Sequence, residues 1–100
     1  MDKYDVKIMP KAERDIDGIY EYLAKNKETP EIALDLVEEM EKAILSLEFM
    51  PYRGSEQRVG AYANKGYRQM FVKNFTIVYR VDEKRHSVII VTVRYTPSEF

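Results

Sequence analysis

Between Gly66 and Tyr95 the chain carries three strand-like runs in succession: Tyr67 to Lys73, Phe75 to Val81 and Ser87 to Tyr95. In the middle run Phe75, Ile77, Tyr79 and Val81 alternate with Asn74, Thr76, Val78 and Arg80. A period of two sends neighbouring side chains to opposite faces of a sheet. The abundance of Val, Ile, Tyr and Phe suits a pleated surface packed on at least one side. Lys73-Asn74 permits a tight turn and Asp82 to His86 a longer polar one, so the expectation is an antiparallel meander.

Upstream the period changes twice. Tyr4, Val6 and Ile8 alternate with Asp5 and Lys7, which reads as a short strand, and Pro10 then suits a helix start. From Lys11 to about Lys25, Ala12, Ile16, Ile19, Tyr20 and Leu23 form one helical stripe. Gly18 lies inside that stripe at a cost of about 1 kcal/mol relative to Ala, and its missing side chain suggests room for a second helix to approach. Asn26-Lys27-Glu28 reads as the break, and Thr29-Pro30 as N-cap and first helical position of the next helix. That helix is expected to run to about Phe49, with Ala33, Leu36, Val37, Met40, Ile44 and Leu47 inward, and Pro51 stopping it. Tyr52 to Lys65 reads as an irregular connection, long for a compact domain. Neither helix hides its stripe alone, so the helical hairpin must lie on the sheet. The expected fold is α+β in the order β-α-α-β-β-β. It places an N-terminal helical hairpin on one face of a mainly antiparallel four-stranded sheet, with residues 1–100 as a single domain.

Composition narrows the function classes. With 45% hydrophobic and 33% charged residues the chain is an ordinary globular domain. It has no Cys, which removes disulfides and thiolate chemistry, and no apolar run near the roughly 18 residues of a membrane span. The N-terminus lacks the apolar core of a signal peptide, so a cytoplasmic protein with no membrane partner is the default. Net charge is −1, but residues 1–50 hold 7 Lys/Arg against 13 Asp/Glu and residues 51–100 hold 9 against 4. A basic second half points to an anionic partner, or to cations that merely solvate and blunt the sheet.

Candidate chemistry is sparse. His86, the only histidine, sits in a charged turn and reads as a solvated loop residue. There is no HExxH, phosphate-cradling glycine loop or CxxC, so no metal site and no cofactor are expected. Arg68, Arg80 and Arg94 each stand beside a tyrosine, Tyr67, Tyr79 and Tyr95, on the three meander strands. If Phe75, Ile77 and Tyr79 pack on the helices, Arg80 projects from the other face. Such arginines and tyrosines suit phosphates and bases, or simply a solvated face with cross-strand pairs.

The ordered set of motifs resembles the RelE/ParE toxin superfamily. It comprises A-x-x-D-I-x-x-I-x-x-Y-L (Ala12, Asp15, Ile16, Ile19, Tyr22, Leu23), L-x-x-M-P at the end of the second helix, and Gly66-Tyr67-Arg68. I-V-Y-R-V-D (Ile77 to Asp82) and V-x-V-R-Y (Val91 to Tyr95) follow. The resemblance implies the growth-inhibiting toxin of a type II toxin–antitoxin (plasmid stabilisation) module. Its implied partners are a cognate antitoxin, which wraps it and is its only link to operator DNA, and a cellular target. RelE-like members cut mRNA on the ribosome, whereas ParE-like members poison DNA gyrase without being nucleases. Nucleases of the family carry Arg where this chain has Thr76, and His-Tyr or Arg where it has Thr96 and Pro97. The expectation is therefore a non-nucleolytic, ParE-like toxin contacting its target through Arg68, Lys73, Arg80 and Arg94. The alternatives are an mRNA interferase using Arg68, Arg94 and Tyr95 catalytically, and a non-toxic member that only binds antitoxin.

Overall fold

A computed structural model describes residues 3–27, 30–56 and 66–96. Strand β1 (Asp5–Ile8) leads into helix α1 (Pro10–Tyr22), then helix α2 (Pro30–Ser46), a two-residue strand β2 (Ser55–Glu56), and the meander β3 (Tyr67–Val72), β4 (Phe75–Asp82) and β5 (Ser87–Tyr95). The strands lie in the order β1-β5-β4-β3-β2, with β1 parallel to β5 and every other pair antiparallel. The sheet thus has five strands rather than four. The additional one comes from the stretch expected to be irregular, where Ser55 pairs with Gln69 and Glu56 with Arg68. Residues 57–65 of that stretch, the Thr29 cap and residues 97–100 lie outside the described residues.

Pro10 opens α1, as its fixed φ favours, but the helix does not stop at a polar break. After Tyr22 the backbone widens into one π-helical turn, Leu23–Lys27. Helix α2 ends at Ser46, earlier than its apolar stripe suggests. Leu47 and Glu48 donate to carbonyls three residues back, a tightened turn that still buries Leu47 in the core.

The helices cover one face of the sheet. Ala12, Leu36, Met40, Ile44 and Leu47 meet Met70, Val72, Phe75, Ile77, Tyr79, Val88, Ile90 and Val93 in one cluster. Ile77 and Tyr79 are fully buried there, as the alternation of β4 requires. In β5 the alternation breaks: Val78 pairs with Thr92 but Tyr79 with Ile90, leaving Val91 as a bulge. That one-residue insertion lets Ile90 and Val93 both face the core.

Helix α1 is fixed to β5 by Asp15. Strand β1 covers β5 only over Ser87 to Ile90, and Met9 N–H extends the ladder to the Ile90 carbonyl. Beyond that point the Asp15 carboxylate accepts the Val93 N–H at 3.1 Å and the Thr92 hydroxyl. Lys11 pairs with the same carboxylate at 3.1 Å. Burial disfavours its charged form, but these donors outweigh it and hold Asp15 below its usual range. Gly18, one turn on, faces no described residue closely: a Cβ there meets nothing among the described residues within 4 Å, so α2 does not approach it.

Candidate functional site

The cations singled out on the meander lie in different settings. Arg68 lies on β3 opposite Tyr79, on the face the helices cover. Its guanidinium is turned onto the loop after α2. Nε donates to the Gly54 carbonyl at 3.1 Å, and a terminal nitrogen donates to the Gly54 carbonyl and, at 3.2 Å, to that of Tyr52. The Arg68 guanidinium carbon also stands 5.3 Å from the Tyr52 ring centre. From the other side, the buried Tyr79 hydroxyl accepts the Gly54 N–H at 2.9 Å. Gly54 is pressed so closely that an added Cβ would collide with the Gln69 carbonyl and lie 2.7 Å from the Tyr79 hydroxyl.

The same loop is tied to the far end of the sheet. Tyr52 donates its hydroxyl to Glu83 in the β4–β5 turn, and Tyr4 donates to the same carboxylate at 2.8 Å. The Tyr52 phenol is pushed up to about 12, chiefly because its bond to Glu83 favours the protonated form. The two phenol donors, Tyr52 first, hold Glu83 below its ordinary value. His86 is not a free loop residue as the sequence suggests. Its ring stacks on Tyr4 at 4.0 Å, and its backbone sits at φ 54°, where the turn closes.

Arg80 and Arg94 stand on the other face of the sheet, by register opposite Tyr67 and Thr76. Arg94 is exposed and Arg80 half-buried. Lys7, Ile89, Arg80 and Tyr67 form one row across four strands, and Arg85 joins Lys7 and Arg80 around a shallow depression that also holds Asp82. Lys73 occupies the β3–β4 turn at φ 53° and reaches Glu39 of α2 at 3.9 Å, a solvent-exposed pair of small energetic weight. Tyr95, 61% exposed, packs edge-on against Phe75 at 5.5 Å.

Arg68, Arg94 and Tyr95 therefore do not converge. Arg94 and Tyr95 are adjacent on β5 and point to opposite faces. Arg68 and Tyr95 lie opposite Tyr79 and Phe75, four residues apart along β4, or about 13 Å at roughly 3.3 Å per residue. Among the described residues no cluster of His, Asp and Glu suited to a metal ion occurs, and no helix is long and apolar enough to cross a membrane. Sequence reasoning missed the loop anchor of Tyr52, Gly54, Tyr79 and Glu83. Only the Tyr79 position, a hydroxyl on an otherwise apolar core face, carried a signal for it.

The whole arrangement has relatives. The family model for the ParE toxin of the type II toxin–antitoxin system parDE matches residues 6–98. Among solved structures, the chromosomal ParDE toxin–antitoxin system from P. aeruginosa superposes with a TM-score of 0.77 at 21% identity, covering 95% of this chain and 98% of that one. The RelBE2 toxin–antitoxin complex from Mycobacterium tuberculosis gives 0.64 at 23% identity, with coverages of 98% and 97%. The isolated E. coli RelE toxin gives 0.63 at 11% identity, with coverages of 96% and 87%. No curated protein sequence matches the chain.

Proposed function

Because the chain belongs to the ParE toxin family of type II toxin–antitoxin systems, we propose that it inhibits growth by poisoning DNA gyrase, cuts no RNA, and is neutralised by a cognate antitoxin. The observation that carries the non-nucleolytic part is the separation of Arg68, Arg94 and Tyr95. Activating a 2′-hydroxyl and stabilising the transition state needs a base and a cation within hydrogen-bond reach of one phosphate. Arg68, with its donors on two backbone carbonyls, serves the loop instead. A net charge of −1 also suits a protein target better than the ribosome, whose phosphates reward a strongly basic partner.

Target contact falls to Arg80 and Arg94, on the sheet face away from the helices, and to Lys73 at the β3–β4 turn. Arg68 contributes by holding the loop after α2 in place. The fold has an edge fit for partner addition, since no other described strand pairs with the outer side of β1.

The test is enzymatic. The purified chain is added to purified DNA gyrase with relaxed plasmid, and in parallel to a ribosome–mRNA complex. Inhibited supercoiling with trapped cleaved DNA and intact mRNA supports the proposal, and the Arg80→Glu, Arg94→Glu variant should lose the inhibition. Cleaved mRNA with normal supercoiling would establish the interferase reading in its place.

A further inference from the structure

The alternation of β1, β4 and β5 lays two rows of unlike charge across the sheet face away from the helices. By register Asp5, Ser87 and Asp82 form one row, and Lys7, Ile89 and Arg80 the next. Arg85, in the turn between β4 and β5, joins Lys7 and Arg80 around a depression of about 220 Å3. These three cations come from three separate backbone segments. The backbones of Lys7 and Arg80 are two strand spacings apart, about 10 Å at roughly 4.8 Å each. Met9 and Pro10, where α1 begins, close one side, so the positive end of that helix adds to the same sign.

The three cations are not engaged by the fold. Among the described residues, the side chains of Lys7, Arg80 and Arg85 form neither an ion pair nor a hydrogen bond. Lys3, Lys11 and Lys73, by contrast, each stand against a carboxylate. Asp82 borders the depression, but one of its oxygens accepts the Arg85 N–H at 3.2 Å and so serves the turn. Arg80 is the informative residue. It is half-buried, so its guanidinium gives up part of its hydration with no carboxylate in exchange.

We propose that this depression holds one backbone phosphate of duplex DNA, with the strand running along the row from Lys7 to Arg80. The proposal deepens the gyrase reading, on which it rests for the choice of DNA, and puts the DNA itself among the contacts of the chain. A phosphate fits better than a carboxylate. Its tetrahedral oxygens accept from several sides, whereas a carboxylate offers two oxygens in one plane, which a single arginine fork fills. Three cations against Asp5 and Asp82 leave one net positive charge, the match of a singly charged phosphodiester. The volume lies below the roughly 300–1,000 Å3 of small-molecule sites, which suits a surface contact rather than an enclosed metabolite. None of the described residues that line it is aromatic, so unpaired bases find no stacking platform there.

The test titrates the purified chain at low salt with four probes: a labelled DNA duplex of mixed sequence, inorganic phosphate, oligouridylate and a poly-glutamate peptide. Anisotropy reads affinity and amide shifts locate the site. Lys7 and Arg85 are exposed, so Lys7→Gln and Arg85→Gln should melt like the unaltered chain. Each should bind the duplex about threefold to tenfold more weakly and lower the slope of log affinity against log salt by about 0.9. Asp5→Asn should tighten binding about twofold, because it removes a repulsion from the next row, which a merely structural role would not do. Inorganic phosphate should shift the amides of the same residues, and poly-glutamate should not displace the duplex. If the unaltered chain does not bind the duplex, or if the folded variants bind it equally well, the proposal is overturned. Phosphate binding without duplex binding, tighter binding of oligouridylate, or equal binding of poly-glutamate would each overturn the DNA assignment. A supercoiling assay in parallel separates the two readings. Duplex binding that the variants weaken, with supercoiling unaffected, removes the gyrase reading and leaves the phosphate site. Inhibited supercoiling that the Lys7→Gln, Arg85→Gln double variant leaves unchanged removes the site and leaves the gyrase reading.

Discussion

Replacing Arg68 by alanine separates a folding role from a target-contact role. The side chain donates to the carbonyls of Gly54 and Tyr52 and lies against the Tyr52 ring. Gly54 is buried, so its carbonyl loses a charge-assisted bond without regaining water, a loss of about 1.5–3 kcal/mol. The Tyr52 carbonyl belongs to an exposed residue and can turn to solvent, so it adds little. The cation–ring contact at the surface adds about 0.5 kcal/mol. The sum is about 2–3.5 kcal/mol, which for a domain of this size lowers the melting temperature by roughly 8–28 °C. Urea denaturation with Arg68→Lys as control measures it. Lysine has no planar fork to span two carbonyls and should recover less than half of the loss. A loss below about 1 kcal/mol for Arg68→Ala would refute the anchoring role and return Arg68 to the surface chemistry that the sequence suggests.

Asp15→Ala leaves the buried Val93 N–H and the Thr92 hydroxyl without their acceptor and should cost about 2–4 kcal/mol; denaturation against Asp15→Asn checks it. Because Asp15 is held below its ordinary value of 3.8, its stabilisation is present above that pH and is lost as the pH falls through the lower folded value. The acid limb of a stability–pH profile should therefore flatten in Asp15→Ala, and an unchanged limb would contradict the assignment. Gly54→Ala has to move the Gln69 backbone or the Tyr79 hydroxyl and should cost about 1–3 kcal/mol, whereas Gly18→Ala should stabilise. Two thermal melts of opposite sign settle that pair. Ile77→Ala removes a fully buried side chain and should cost about 2–5 kcal/mol; under 1 kcal/mol would mean that the space around it collapses at little cost.

What the sequence shows well is periodicity. The stripe of α2 and the alternation of β4 put Met40, Ile44, Ile77 and Tyr79 in the core because burial repeats with the geometry of each element. What it hides is backbone pairing between polar residues and one-residue irregularities. Ser55 and Glu56 join the sheet through main-chain bonds to β3 that no side-chain pattern announces. The Val91 bulge turns Val93 inward against the simple alternation that continues from Ile90. Among the candidate site residues, charge is legible but its acceptor is not. Arg68 and Arg94 read alike along the chain, yet one is bound to a loop and the other is exposed on the far face. Gly18 is legible as an exception, but the sequence does not say that no other described helix lies against it. Asp15 stood in the family pattern with no visible reason, and its place beyond the end of β1 supplies one.

The most direct measurement is induction of the chain in a bacterial host, followed by pulse-labelling of DNA and protein synthesis over the first minutes. Early arrest of DNA synthesis with an SOS response, while protein synthesis continues, is the expected result. An early collapse of protein synthesis with mRNA cut in the ribosomal A site would contradict the account and make the chain an interferase despite the scattered Arg68, Arg94 and Tyr95.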